Sequence, residues 1–199
     1  MKALKKAIES RRTYYNINDE SPISNEEIKE LVDFAILNVP SAFNSQSTRV
    51  ILLLNENHTK LWDIVKKELK KIVPAEAFHT TEEKINNSFA SGHGTVLFYE
   101  DESVVNGLQK AFPSYKDNFP VWSQHTSAMH QYAIWLMLEQ AGFGASLQHY
   151  APLIDAEVAK AWNINPKWKL VAQMPFGIPT AEPGPKEFQP LENRSIVIE

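Results

Sequence analysis

Residues 122–139, WSQHTSAMHQYAIWLMLE, decide the fold class of this 199-residue chain. Between Met129 and Leu138 the apolar residues are not confined to one side of a helix, and Gly142 follows where a glycine commonly ends one. A helix that is apolar almost all round must be covered on several sides. The stretch therefore predicts a long helix in the middle of a folded domain.

Short aliphatic and aromatic runs before this helix predict buried strands at residues 50–54 and 95–99. Residues 144–148 and 169–174, after the helix, are predicted as two more strands. Helices are predicted at residues 2–10, after the capping box Ser24–Glu27, at 61–73, after a second box at Thr80–Glu83, at 103–112 and at 155–162. This alternation favours an α/β or α+β fold whose central sheet is covered on both sides.

Composition excludes several classes of function. The chain is 43% hydrophobic, carries a net charge of -4 and has no cysteine. Without a basic excess it does not fit a nucleic-acid-binding protein, and without cysteine it can use neither disulfides nor thiolate catalysis. The N-terminus is too polar for a signal peptide, and no run approaches the length of a membrane span. We expect one cytoplasmic domain over residues 1–199, with no nucleic-acid or membrane partner.

Two polar stretches are candidates for ligand binding. Ser10–Tyr15, SRRTYY, places two arginines and a threonine at the end of a short helix, as a phosphate site would require. The alternative is an exposed basic turn at a helix C-terminus. Val39–Arg49, VPSAFNSQSTR, carries many neutral hydrogen-bonding side chains between two hydrophobic elements. They suit either a sugar-alcohol chain or a solvated turn.

No pattern in the sequence indicates a catalytic side chain or a metal centre. The six histidines form no metal-ligand motif, and no Ser-His-Asp arrangement is evident from spacing. We therefore predict neither catalytic side chains nor a bound metal.

The ordered set of motifs resembles the nitroreductase family of FMN-dependent oxidoreductases, and within it the fatty-acid-repression-mutant-like branch. Each motif alone is weak evidence for the family, but the motifs, taken together in this order and spacing, extend over nearly the whole chain. The motifs are SRRTYY at 10–15, PSAFNSQSTRV at 40–50, KLWDIV at 60–65, GTVLFYED at 94–101, DNFPVWS at 117–123, GASLQHY at 144–150 and AQMPFG at 172–177.

The resemblance implies an α+β fold: a three-layer sandwich with a central, mainly antiparallel sheet flanked by helices. It also implies an intertwined homodimer with FMN at the interface, in which the tail from about residue 178 to 199 embraces the partner. The FMN-binding residues implied by the matching motifs are Arg11, Arg12, Thr13, Tyr15, Pro40, Ser41, Asn44, Gln46, Leu147, Gln148, His149 and Lys186. Of these, Arg11, Arg12, Thr13 and Lys186 would hold the phosphate end, and Pro40 to Gln46 would reach FMN across the interface.

The implied activity is reduction of a nitroaromatic or quinone-type oxidant by NADH or NADPH in a ping-pong hydride transfer, with the flavin N5 carrying the chemistry. Tyr15 and Phe188 depart from the family pattern, because many relatives carry cations there. An alternative is an FMN-binding sensor or regulator of redox stress with little turnover. A further alternative is an enzyme of the same fold acting on free flavin or a halogenated aromatic. The sequence leaves open the physiological substrate, the choice between NADH and NADPH, the flavin potential and the pathway.

Overall fold

The computed structural model describes residues 2–192 and 194–199, so Asn193 in the predicted tail lies outside the described residues. The helices are α1 (Lys2–Ser10), α2 (Asn25–Asn38), α3 (Glu56–Leu69), α4 (Ala75–Ser88), α5 (Glu102–Ala111), α6 (Phe119–Gln140) and α7 (Asp155–Trp162). The strands are β1 (Ile17–Asn18), β2 (Thr48–Leu54), β3 (Gly94–Asp101), β4 (Gly144–Ala145) and β5 (Trp168–Pro179).

The strands form one antiparallel sheet in the order β1-β5-β3-β2, and β4 pairs with the end of β5. All eight residues of β3 are buried. Most residues of the edge strand β2 are only half-buried, so the prediction of cover on both faces holds less well there. The expected α+β fold with a mainly antiparallel sheet is confirmed.

Helices cover both faces of the sheet because side chains along β3 alternate between its two sides. Val96 and Phe98 face a core formed with α2, α6 and the inner residues of β5. Leu97 and Tyr99 face a second core formed with α3, α4 and α7. The result is the three-layer sandwich that the resemblance implies.

Helix α6 is longer than predicted, and its apolar surface is not fully covered. Ile134 and Leu138 are buried against the sheet, whereas Met129 and Tyr132 on the outer side are 42% and 41% exposed. Gly142 follows the helix with φ +95°, which fits its predicted role in ending it. No helix in the described part of the chain, α6 included, combines the length and apolar character needed to cross a membrane.

Two local predictions are wrong and one is confirmed. The capping box is present, since Ser24 Oγ accepts a hydrogen bond from the Glu27 amide and Glu27 Oε2 accepts one from the Ser24 amide. Thr80 instead lies inside α4, which begins after Pro74, a residue whose fixed φ suits the start of a helix. The predicted strand 144–148 is reduced to β4 and an isolated bridge between Gln148 and Gln173.

A buried histidine joins the second core. His58 is 2% exposed, with Nδ1 2.9 Å from Thr95 Oγ1 and Nε2 3.2 Å from the carbonyl oxygen of Ala90. The carbonyl can only accept, so Nε2 donates and Nδ1 accepts from the threonine hydroxyl. Burial lowers the pKa of His58 to about 4, which keeps the ring neutral in the folded protein at pH 7.

We predict that His58 makes the protein acid-sensitive. In the unfolded chain this histidine titrates near pH 6.5, so below that pH the unfolded state binds the additional proton. The stability associated with neutral His58 is present above pH 6.5 and is lost as pH falls toward 4, by up to about 1.4 kcal/mol per pH unit. Urea unfolding at pH 7 and pH 5.5 should show a smaller loss for His58→Gln than for wild type. His79→Gln, which replaces an exposed histidine, serves as control, and equal losses in all three proteins would contradict the prediction.

Candidate functional site

The basic segment after α1 lines a cavity of about 470 Å³. Arg11, Arg12, Thr13 and Tyr15 form one wall, and residues 181–186, including Lys186, form the other. The volume lies within the range of small-molecule pockets. The structure therefore brings together these five predicted binding residues from opposite ends of the chain.

The two arginines have different surroundings. The Arg11 guanidinium lies over the Trp135 ring, 4.4 Å from its centroid, and Arg11 Nε is buried with no hydrogen-bond partner among the described residues. Arg12 Nη2 donates to the carbonyl oxygen of Gly184 and so ties the basic segment to the opposite wall. A buried guanidinium N–H without a partner fits an anionic ligand, because a phosphate oxygen would satisfy it.

Acidic groups also lie near this cavity. Burial raises the pKa of Glu139, and the nearby negative charge of Glu182 adds to that rise, while the charge of Arg11 opposes it. Lys186 is exposed, with its Nζ 5.1 Å from the ring centroid of Phe188. The positive charges of Arg11, Arg12 and Lys186 are thus only partly neutralised by nearby carboxylates.

A backbone contact places a second predicted segment, residues 147–149, near this cavity. Thr13 forms a parallel bridge with Ala145, and the Tyr14 amide donates to the Ala145 carbonyl at 3.0 Å. Gly144 permits this approach, because a Cβ there would lie 2.7 Å from Cγ of Tyr14. Residues 147–149 follow directly after this contact.

These three residues have distinct environments. Leu147 and Gln148 are half-buried, and Gln148 Nε2 donates to Ser146 Oγ at 3.0 Å. His149 is exposed and lines a second cavity, of about 610 Å³, with Glu100 and Lys169. None of the three lines the cavity of the basic segment, and the backbone bridge between Thr13 and Ala145 brings their segment close to it.

The other predicted residues, Pro40, Ser41, Asn44 and Gln46, do not line the cavity of the basic segment. They lie between α2 and β2, where Asn44 and Gln46 have exposed side chains. Within one chain the structure therefore does not join them to Arg11 and Lys186. Their predicted contact with a cofactor held by the other subunit stays a prediction.

This connecting segment has an unusual backbone. Phe43, Asn44 and Gln46 have φ values of 56°, 49° and 49°, in the left-handed region that side-chain-bearing residues rarely occupy. Ser41 Oγ accepts a hydrogen bond from the Gln46 amide at 3.0 Å and closes the turn. Such strained turns persist only where the surrounding contacts fix them, and they cluster at functional sites.

Aromatic rings provide one of these contacts. The Phe43 ring lies 5.0 Å from Phe112, 6.0 Å from Tyr115, 5.2 Å from Phe119 and 6.0 Å from Trp122, measured between centroids. Each such pair contributes about 0.5–1.5 kcal/mol. Although Phe43 is 50% exposed, such contacts offset its left-handed conformation, which costs about 1–2 kcal/mol. We call these four partner rings the aromatic clamp.

A buried carboxyl group provides the second contact. Ser47 Oγ and Thr48 Oγ1 each donate to one oxygen of Glu100, at 2.6 Å. Burial raises the pKa of Glu100, although both hydroxyl donors oppose the rise. Burial acts in the same direction on Asp101, but the bonds from Ser103 and the charge of Arg49 outweigh it and lower that pKa.

Phe43, Glu100 and Lys84 are not among the site residues predicted from the sequence. Phe43 could have been noticed as the one aromatic residue in an otherwise small and polar stretch, while Glu100 is an acid within a predicted buried strand. Lys84 Nζ lies 6.0 Å from the ring centroid of Tyr15 and so brings a positive charge beside it. Nothing in the sequence pattern pairs residue 84 with residue 15.

The fold agrees with what comparison with known proteins shows. A family model described as the nitroreductase family matches residues 8–178. The chain belongs to the nitroreductase family. It is 33% identical to the nitroreductase FRM2 of Saccharomyces cerevisiae over 186 residues, which cover 92% of this chain and 91% of the yeast protein.

Solved structures of other nitroreductases are similar over the whole fold. Nitroreductase CinD from Lactococcus lactis in complex with nicotinic acid matches with a TM-score of 0.91 and 41% identity, over 98% of this chain and 100% of that chain. The complexes of CinD with chloramphenicol and with 4-nitrophenol match at TM-scores of 0.90 and 0.89, with 40% identity and the same coverage. A nitroreductase with bound FMN from Desulfitobacterium hafniense shares the fold, at a TM-score of 0.73 and 14% identity, over 100% of both chains.

Proposed function

We propose that this protein is an FMN-dependent oxidoreductase that uses NADH or NADPH to reduce nitroaromatic or quinone-type compounds in a ping-pong reaction. The observation that carries the proposal is the cavity lined by Arg11, Arg12, Thr13 and Lys186, in a chain that belongs to the nitroreductase family. The complexes of CinD with 4-nitrophenol and chloramphenicol support the class of substrate.

The proposed roles of the cavity residues follow from their charge and placement. The guanidinium groups of Arg11 and Arg12 and the ammonium of Lys186 would hold the FMN phosphate, and the Thr13 hydroxyl would donate to it. The unpartnered Nε of Arg11 supports this fit. When bound, FMN would supply the redox chemistry, accepting two electrons from the nicotinamide and passing them to the oxidant.

The flavin ring would be oriented by residues beside the phosphate site. Tyr15 borders the cavity, and Leu147, Gln148 and His149 follow the strand that bridges to Thr13. Lys84, close to the Tyr15 ring, would place a positive charge where Tyr15 itself brings none.

We also propose that the protein is a homodimer whose partner supplies Pro40, Ser41, Asn44 and Gln46 to each FMN. The exposed apolar side of α6 supports an interface, because large uncovered apolar surfaces mark interaction sites. In the tail, Ile196, Val197 and Ile198 are 76%, 81% and 93% exposed. The edge strand β2 offers unpaired backbone groups to which such a tail would add a strand.

Anaerobic reduction tests the function. NADH or NADPH added to FMN-loaded protein should bleach the visible flavin absorption, and a nitroaromatic or quinone added next should restore it. Failure of both nicotinamides to bleach the flavin would favour a sensor that binds FMN with little turnover. Bleaching without reoxidation by either oxidant would support a flavoenzyme but exclude nitroaromatics and quinones as its substrates.

We predict that Arg11→Ala lowers FMN affinity. Charge-assisted hydrogen bonds contribute about 1.5–3 kcal/mol, which corresponds to an affinity loss of about tenfold to a hundredfold. Titration monitored by flavin fluorescence measures the change. Lys5→Ala removes one exposed positive charge from α1, outside the cavity, and is the matched control. An unchanged FMN affinity in Arg11→Ala would show that Arg11 does not bind FMN.

Deletion of residues 193–199 should weaken the dimer and reduce FMN retention, because the proposed site spans both chains. Size-exclusion chromatography with detection at protein and flavin wavelengths reports both properties. Replacing Ile196, Val197 and Ile198 by serine at full length should have the same effect if apolar contact is responsible. A truncated protein that stays dimeric and fully loaded with FMN would contradict strand exchange.

A further inference from the structure

The aromatic clamp holds a residue adjacent to a proposed FMN ligand. Phe43 precedes Asn44, and both lie in the left-handed turn that Gln46 completes. We propose that Phe43 is a positioning residue, whose ring fixes this turn so that the amide of Asn44 is presented to FMN. The inference rests on the proposed function, since it concerns the same cofactor.

The clamp is built from a different part of the chain than the turn. Phe112 follows α5, Tyr115 lies in the connection to α6, and Phe119 and Trp122 are in the first turns of α6. Phe119 is 3% exposed and therefore anchored in the protein, while the Trp122 ring is nearly parallel to that of Phe43, at an interplanar angle of 18°. The Phe43 side chain thus joins the turn to a helix that is packed against the sheet.

Hydrogen bonds hold the backbone of the turn mainly to itself. They run from the Asn44 amide to the Ser41 carbonyl, at 3.0 Å, from the Ser45 amide to the Ala42 carbonyl, at 3.1 Å, and from the Gln46 amide to Ser41 Oγ, at 3.0 Å. At the end of the turn, the Gln46 carbonyl accepts a hydrogen bond from Arg49 Nη1 at 2.7 Å, and Arg49 also pairs with Asp101 of β3. Glu100 anchors Ser47 and Thr48, beyond the turn. Arg49 therefore holds the end of the turn to β3, and the Phe43 ring joins the centre of the turn to the clamp residues.

One consequence is that the clamp, at the end of α5, in the connection that follows and at the start of α6, would influence cofactor retention through Phe43. A change in the clamp would free the turn to leave its left-handed conformation, and Asn44 would lose its preorganised position. Preorganised groups bind more tightly because less conformational freedom is lost on binding. The loss should therefore appear as faster release of FMN.

The experiment dilutes FMN-loaded protein and follows released FMN by its fluorescence. Phe43→Gly removes the ring but tolerates positive φ, and should weaken FMN retention by about tenfold. Phe43→Tyr keeps the ring and should stay within about threefold of wild type. Trp122→Leu removes one ring of the clamp while leaving Phe43 in place, and should weaken retention by about three- to tenfold.

Two controls separate positioning from general stability. Trp162→Leu removes a partly buried tryptophan on α7, across the sheet, and should leave FMN retention unchanged at urea concentrations below unfolding. Asn44→Ala should weaken retention about tenfold in wild type but less than about threefold in Phe43→Gly, because coupled residues act non-additively.

The inference is overturned if Phe43→Gly and Trp122→Leu retain FMN as well as Trp162→Leu does, or if the effects of Phe43→Gly and Asn44→Ala simply add. In either case a wild-type protein that holds FMN leaves the proposed function intact. A wild-type protein that holds no FMN would overturn both proposals.

Discussion

The complete burial of β3 is the constraint on which the rest of the structure depends. Its neighbours β2 and β5 satisfy its backbone on both edges, and helices must cover both of its faces. Buried backbone groups need such partners, because an unpaired group is costly away from water. The chain therefore leaves the sheet and returns to it several times. The turn around Phe43 lies at one such return, shortly before β2.

Two acidic residues at the end of β3 make different polar contacts. Glu100 and Asp101 are adjacent in sequence but point to different partners, since Glu100 accepts from Ser47 and Thr48 whereas Asp101 pairs with Arg49 at 3.0 Å. Burial dominates for Glu100, and hydrogen bonds with ionic pairing dominate for Asp101, so their pKa values shift in opposite directions. The start of β2 is thereby attached to the centre of the sheet by two different kinds of polar contact.

The sequence predicted those features that depend on local pattern. The strand around Leu97, the long helix around Ile134 and the capping box at Ser24 follow from hydrophobic periodicity and from a short-range hydrogen-bond motif. The box predicted at Thr80 failed because a proline begins the same helix earlier. Strand 144–148 was overestimated because the mixed segment GASLQ does not reveal where strand pairing is interrupted.

Such local patterns predicted less of the candidate site. The basic segment and Lys186 lie at opposite ends of the sequence, and only the resemblance to the family joined them before the structure placed them around one cavity. The contacts of Phe43 with the aromatic clamp, and of Lys84 with Tyr15, are tertiary contacts between distant segments. Composition and periodicity carry no information on such pairs.

The strand order has a consequence for synthesis of the protein. Because β5 lies between β1 and β3, the sheet stays open on one side of β3 until residues 168–179 have left the ribosome. At about 5–20 residues per second, the roughly 80 residues between the ends of β3 and β5 impose a delay of roughly 4–16 s. During that interval the strand that is fully buried in the folded protein has a free edge, and such an edge is a template for aggregation. The nascent chain is therefore expected to depend on chaperones that shield such an edge more than a fold with sequentially paired strands would.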